Sequence, residues 1–102
     1  MIGTKYTKKE VIKRVADRLG QPEVRTAKVI NATLDVIREM MSERTESTRI
    51  ELRNFGIFSV KPAKAKPRAR NPKTNEEVYV PPHRKSHFKP GKLLKTTLRK
   101  PL

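Results

Sequence analysis

The sequence predicts an α+β fold: two amphipathic helices, a proline-rich half built of strands and turns, and a short basic helix at the end. Apolar residues recur at helical spacing from about 8 to 43. Prolines at 62, 67, 72, 81, 82 and 90 exclude a helix from 54 to 90, because each would remove a backbone donor and clash with the preceding turn. Ile50 and Leu52 alternate with Arg49, Glu51 and Arg53, the period of a strand with one buried face.

The first helix is expected at about 8–19. Thr7-Lys8-Lys9-Glu10 is a capping box, in which hydroxyl and carboxylate each satisfy an amide of the opening turn. Val11, Ile12, Val15, Ala16 and Leu19 form its apolar face, and Gly20 supplies a left-handed stop. Pro22 suits the first turn of a second helix, about 22–43. There Ala27, Ile30, Leu34, Ile37 and Met41 form a stripe flanked by Val24, Val29, Val36 and Met40. That face is wider than one short helix covers, so it is assigned to a dimer contact. Phe55, Phe58 and Val60 continue the apolar set of the strand region, and Gly56 marks a tight turn, bulge or close backbone approach. Leu93, Leu94 and Leu98 give the last helix, within about 91–100, one apolar face, with lysines and arginines opposite.

A chain of 102 residues forms one domain at most. Its 34% hydrophobic content lies below the ~45–50% usual for globular domains, so a lone chain buries a thin core. There is no cysteine to staple it by disulfide or thiolate zinc, which leaves dimerisation. The net charge of +15 predicts a polyanionic partner. No apolar run approaches the ~20 residues of a membrane span, and the first residues lack a signal-peptide core. A cytoplasmic chain with a nucleic-acid partner is expected. The charge is uneven: residues 1–53 hold twelve Lys/Arg and eight Asp/Glu, which leaves thirteen and two for residues 54–102.

Residues 61–73 carry six basic residues, no acidic one and no large apolar one. Lys64, Lys66, Arg68 and Arg70 step by two, with Ala63, Ala65, Pro67 and Ala69 between them. In an extended strand this spacing places the four cations on one face, ~6.6 Å apart. That is about twice the ~3.4 Å phosphate spacing along one DNA strand. Asn71-Pro72-Lys73-Thr74-Asn75 is a concentrated turn signal, and 76–80 returns as a strand, so 61–80 reads as a hairpin arm tipped by Pro72. Pro67, without a donor, is expected at an open edge or bulge. A disordered basic tail explains the composition equally well, and an arm ordered only by DNA satisfies both readings.

Phe55-Gly56-Ile57-Phe58, the basic run ending in Arg70-Asn71-Pro72-Lys73-Thr74, and Phe88-Lys89-Pro90-Gly91-Lys92-Leu93, in this order and spacing, resemble the HU/integration host factor family. The resemblance runs from about Thr7 to Arg99. It implies a single domain, residues 1–102, forming an intertwined dimer. Its helical base would take about 7–44. A three-stranded antiparallel sheet in each subunit, about 49–90, would extend into the DNA-binding β-arm, and a short helix would close the chain. The implied function is architectural: binding the minor groove, kinking DNA with Pro72 as the wedge, and organising the bacterial nucleoid largely without sequence specificity. The alternative is a site-specific subunit like those of integration host factor, reading DNA deformability. The implied arm contacts are Lys61, Lys64, Lys66, Arg68, Arg70, Asn71, Lys73 and Thr74. The implied body contacts are Thr7, Lys8, Lys9, Arg53, Arg84, Lys85, Lys89 and Lys92. The partner is double-stranded DNA, with a second copy or a paralogous chain completing the dimer. No cofactor, metal or membrane partner is implied.

Three features depart from the family pattern. Asn54 and Asn75 stand where glycine is common, and the run from Asn54 to Pro72 is one residue longer, which bears on strand register. His83 and His87 are four apart among prolines and strand-like sequence and are assigned to the surface or to a DNA-facing position rather than a metal. Phe55, Phe58 and Phe88 are assigned to packing, with base stacking as the alternative. No cysteine, glycine-rich phosphate loop or His–carboxylate pair at a convincing spacing marks an enzyme. A ribosomal protein with a basic extension is the remaining competitor.

Overall fold

The computed structural model describes residues 3–102, the side chains of 66–69 excepted. The element order is α1 (Lys8–Leu19), α2 (Glu23–Ser42), β1 (Thr48–Leu52), β2 (Gly56–Ala63), β3 (Lys66–Arg70), β4 (Glu77–Val80), β5 (His83–Pro90) and α3 (Lys92–Leu98). The chain forms two compact units, residues 1–39 and 40–102.

In the helical unit, α1 starts at the expected capping box. The Thr7 amide and hydroxyl both donate to the Glu10 carboxylate, the amide at 2.8 Å. Gly20 takes the left-handed conformation, φ 62°, and the Gln21 amide closes on the Ala16 carbonyl at 3.0 Å. The Pro22 carbonyl opens α2 by accepting from both the amide (3.1 Å) and hydroxyl (3.0 Å) of Thr26. Burial is sparse: Ala16 and Thr26 are covered, whereas Val24 remains 74% and Val29 62% exposed.

The second unit is built on a three-stranded antiparallel sheet of order β1-β2-β5 and a two-stranded ribbon, β3-β4. Register explains which residues share a face. Phe58 pairs with Ile50 and with Phe88, and Val60 pairs with Thr48, so Ile50, Phe58, Val60 and Phe88 line one side. Phe55 joins them, with ring centroids 5.3 Å from Phe88 and 6.2 Å from Phe58, and Phe58 lies 4.9 Å from Phe88. The three phenylalanines therefore pack on one another. Gly56 is demanded by this packing: a Cβ there would come within 2.6 Å of both the Lys89 carbonyl and the Phe88 ring. Asn54, in the β1–β2 turn, takes the left-handed φ of 67° and so serves where glycine is common. Gly91 donates its amide to Phe55 O at 2.8 Å and leads into α3.

The ribbon differs from the expected regular strand. Lys66 pairs with Val80 and Ala69 with Val78, so three steps on β3 match two on β4. This is a bulge, and it spans Pro67, as a missing donor favours. The bulge interrupts the period of two along the backbone of β3; the side chains of Lys66 and Arg68, on which the expectation of a single cationic face also falls, lie outside the described residues.

Candidate nucleic-acid interface

The side of the three-stranded sheet opposite the phenylalanines is polar and basic. Lys61 pairs with Lys85, Ser59 with Arg49 and His87, and Ile57 with Lys89. Arg49, Lys61, Lys85, His87 and Lys89 thus share one surface, with Arg49, Lys61, His87 and Lys89 lining a shallow concavity. Like charges directly opposite on neighbouring strands repel, at a cost of up to ~1 kcal/mol per pair. The exposed Lys61–Lys85 pair has no acidic neighbour on its face of β2 or β5, since the flanking pairs on that face are Ser59–His87 and Ala63–His83. A polyanion on this face would turn that repulsion into attraction. The one acidic residue on the surface, Glu51, is held by Arg49 at 2.7 Å.

The ribbon carries the arm tip. The Asn71 amide donates to Glu76 O at 2.8 Å and the Asn75 amide to Asn71 O at 2.7 Å. Asn71 Oδ1 accepts from the Lys73 amide at 3.0 Å, and Thr74 Oγ1 accepts from the Glu76 amide at 3.4 Å. Asn75 takes φ 59°, the conformation in which glycine is usual. These bonds form a closed turn whose outermost residues, Pro72 and Lys73, are exposed. Arg70 stands beside the turn, donating to Asn75 O and Oδ1 at 3.3 Å each and facing Glu77 at 3.8 Å. The Asn71 backbone amide and Oδ1 and the Thr74 Oγ1 thus shape the tip, and Pro72 and Lys73 are left exposed.

The model of the bacterial DNA-binding protein family matches residues 6–99. This chain belongs to that family. Among its relatives, the integration host factor subunit beta of Saccharophagus degradans is 42% identical over 87 residues, covering 84% of this chain and 85% of the relative. The corresponding subunit of Pectobacterium carotovorum is 41% identical over 90 residues, covering 87% and 92%. The HU protein of Anabaena, solved as a cocrystal with DNA, superposes with a TM-score of 0.80 at 31% identity, covering 94% of this chain and all of that one. The chain is thus a bacterial DNA-binding architectural protein of the HU/integration host factor type, and its fold is that of the family.

Within this HU/integration host factor framework the structure sorts the expected contacts. Lys61, Lys85 and Lys89 share the basic sheet face. Arg70, Asn71, Pro72, Lys73 and Thr74 meet at the arm tip, and Lys64 is exposed between sheet and ribbon. The side chains of Lys66 and Arg68 lie outside the described residues. Arg53 is exposed in the β1–β2 turn, and Lys92 opens α3. Thr7, Lys8 and Lys9 open α1, but the Thr7 amide is already taken by Glu10, so a phosphate there would compete with the chain's own carboxylate. Arg84 pairs with Pro62 and falls on the side of the sheet away from Lys61 and Lys85. Arg49 joins the basic face unforeseen, and His87, expected at the surface or facing DNA, lies on the same face. Arg49 was visible as an alternating strand residue, but its neighbours depend on pairing between strands far apart in sequence. Among the described residues no group of three or more His, Asp or Glu is placed to hold a metal ion, and no helix is long and apolar enough to cross a membrane.

Proposed function

We propose that this chain is one subunit of an integration-host-factor-like dimer that bends double-stranded DNA. The basic sheet face would seat the duplex, and the arm would follow the minor groove until Pro72 wedges between two base pairs. The observation that carries the reading is the continuity of charge and shape within residues 40–102. A lysine-paired sheet face leads into a ribbon whose exposed tip is a proline set in a closed turn. Unstacking a step costs a few kcal/mol, and bending returns it by bringing flanking phosphates onto cations such as Lys89 and Lys92. Arg70 would exchange Asn75 and Glu77 for the groove, and Lys61, Lys64, Lys66, Arg68, Lys73 and Lys85 would neutralise phosphates. Dimerisation is supported by the apolar surface the single chain leaves open, on α2 and on the phenylalanine side of the sheet, where Phe55 is 49% and Phe88 41% exposed. Residues 1–102 would then act as one domain whose core is completed by the second subunit. Nucleoid association follows from this activity.

The relatives named as a beta subunit favour a two-chain, site-selecting protein. The likeness to an HU–DNA complex favours the second reading, a homodimer bending DNA of any sequence. Native mass spectrometry and duplex bending, measured with this chain alone and after adding a paralogous chain from the same genome, separate them. The first reading expects a mixed dimer and a rise in both affinity and bending on mixing. Full bending by a dimer of this chain alone, unchanged by the paralogue, supports the second. Binding of structured RNA with no DNA bending rejects both.

A further inference from the structure

The helix α2 ends without a basic residue in its last turn, the place where a cation would meet the partial negative charge of a helix C-terminus. Just past that end, a cation comes from 41 residues away. Arg84 Nη1, at the start of β5, donates to Glu43 O at 2.6 Å and reaches Thr45 O at 3.4 Å. The same Glu43 carbonyl accepts from the Thr45 amide at 2.8 Å, and the Thr45 hydroxyl bonds Ser47 O and faces the Thr48 hydroxyl, 3.1 and 3.0 Å away. Arg84 therefore binds a connection that is itself folded, between the end of α2 and the start of β1. Register shows why it points there. Arg84 is the partner of Pro62, next to the last pair of the β2–β5 ladder, on the side opposite Lys61 and Lys85. That is the root of the arm, where the three-stranded sheet gives way to the β3–β4 ribbon.

We propose that Arg84 is a positioning residue that clasps the root of the arm to the α2–β1 connection, and that it does not contact DNA. It separates Arg84 from Lys85 and Lys89, which the basic face presents to phosphates. Charge-assisted bonds to the Glu43 and Thr45 carbonyls, just past the end of α2, made from the start of β5, fix where the arm leaves the body. The consequence for bending rests on the DNA reading above. The clasp itself does not, and the test divides accordingly.

In the full chain without DNA, amide exchange at residues 43–48 is compared for the native protein, Arg84→Ala and Arg84→Lys. Several-fold faster exchange at Thr45 in Arg84→Ala, restored by Arg84→Lys, is the expected result. Unchanged exchange overturns the clasp. The salt dependence of duplex binding is then measured beside Lys89→Ala. Arg84→Ala should keep the native slope of log affinity against log salt while drawing duplex ends less close together. Lys89→Ala should lose about 0.9 of a slope unit, the value for one phosphate contact. The same loss in Arg84→Ala would make it a DNA contact and overturn the positioning role. A native protein that binds no duplex would reject the DNA reading and leave the exchange result to judge the clasp.

Discussion

Arg70 has two sets of partners available. In the free chain it holds the tip together through Asn75 and faces Glu77, all exposed, where such pairs contribute little. A groove lined with phosphates offers more. Arg70→Ala should therefore weaken duplex binding and lower the salt slope by about one, as measured by fluorescence anisotropy at several salt concentrations. An unchanged slope would remove it from the contacting set. Single residues were unevenly legible. Asn54 and Asn75 could be singled out because they replace glycine, and both adopt the left-handed conformation that glycine tolerates. Arg84 could not be told from Lys85 in the sequence, because adjacent strand residues differ only in face, and face is set by pairing with β2.

At the scale of elements, local chemistry was the reliable guide. Thr7, Glu10 and Gly20 mark α1 because capping depends on neighbours three or four residues away. The Thr7 hydroxyl, and after it the Thr7 amide, hold the Glu10 carboxyl below its ordinary value of 4.5. A carboxyl depressed by folding stabilises above its unfolded value, and that contribution disappears as pH falls through the folded one. The Glu10 carboxyl should titrate by NMR below 4.5 and move back towards it in Thr7→Ala; a native midpoint at or above 4.5 would contradict the cap. Strands were less legible. The sequence marks one return strand at 76–80, whereas β4 and β5 are separate and belong to different sheets. Their division depends on which strand each meets. The close approach at Gly56 was visible as a glycine, but its cause, the Lys89 backbone and the Phe88 ring, was not. Gly56→Ala should cost about 1–3 kcal/mol in denaturant unfolding, since backbone must shift to admit the methyl group. A loss below the error of the measurement would show that the sheet yields freely.

For the molecule as a whole, thin apolar content and broad helical faces are two views of one fact. The sequence holds few apolar residues, and the folded chain still leaves Val24, Val29, Phe55 and Phe88 open. A second subunit covering them would let a small polar chain spend its remaining length on a cationic face and an arm. The bulge in β3 shows where whole-molecule reasoning from spacing stops: an even step of two along the sequence says nothing of the odd insertion that pairing reveals. The central claim is that the arm bends DNA by inserting Pro72, with the cations supplying affinity separately. The most direct test is fluorescence transfer between the ends of a short duplex, saturated in turn with the native protein and with Pro72→Ala in the same dimeric assembly. Ends drawn together by the native protein and released by Pro72→Ala, with affinity reduced far less than bending, is the predicted result. Equal transfer for the two proteins would contradict the wedge.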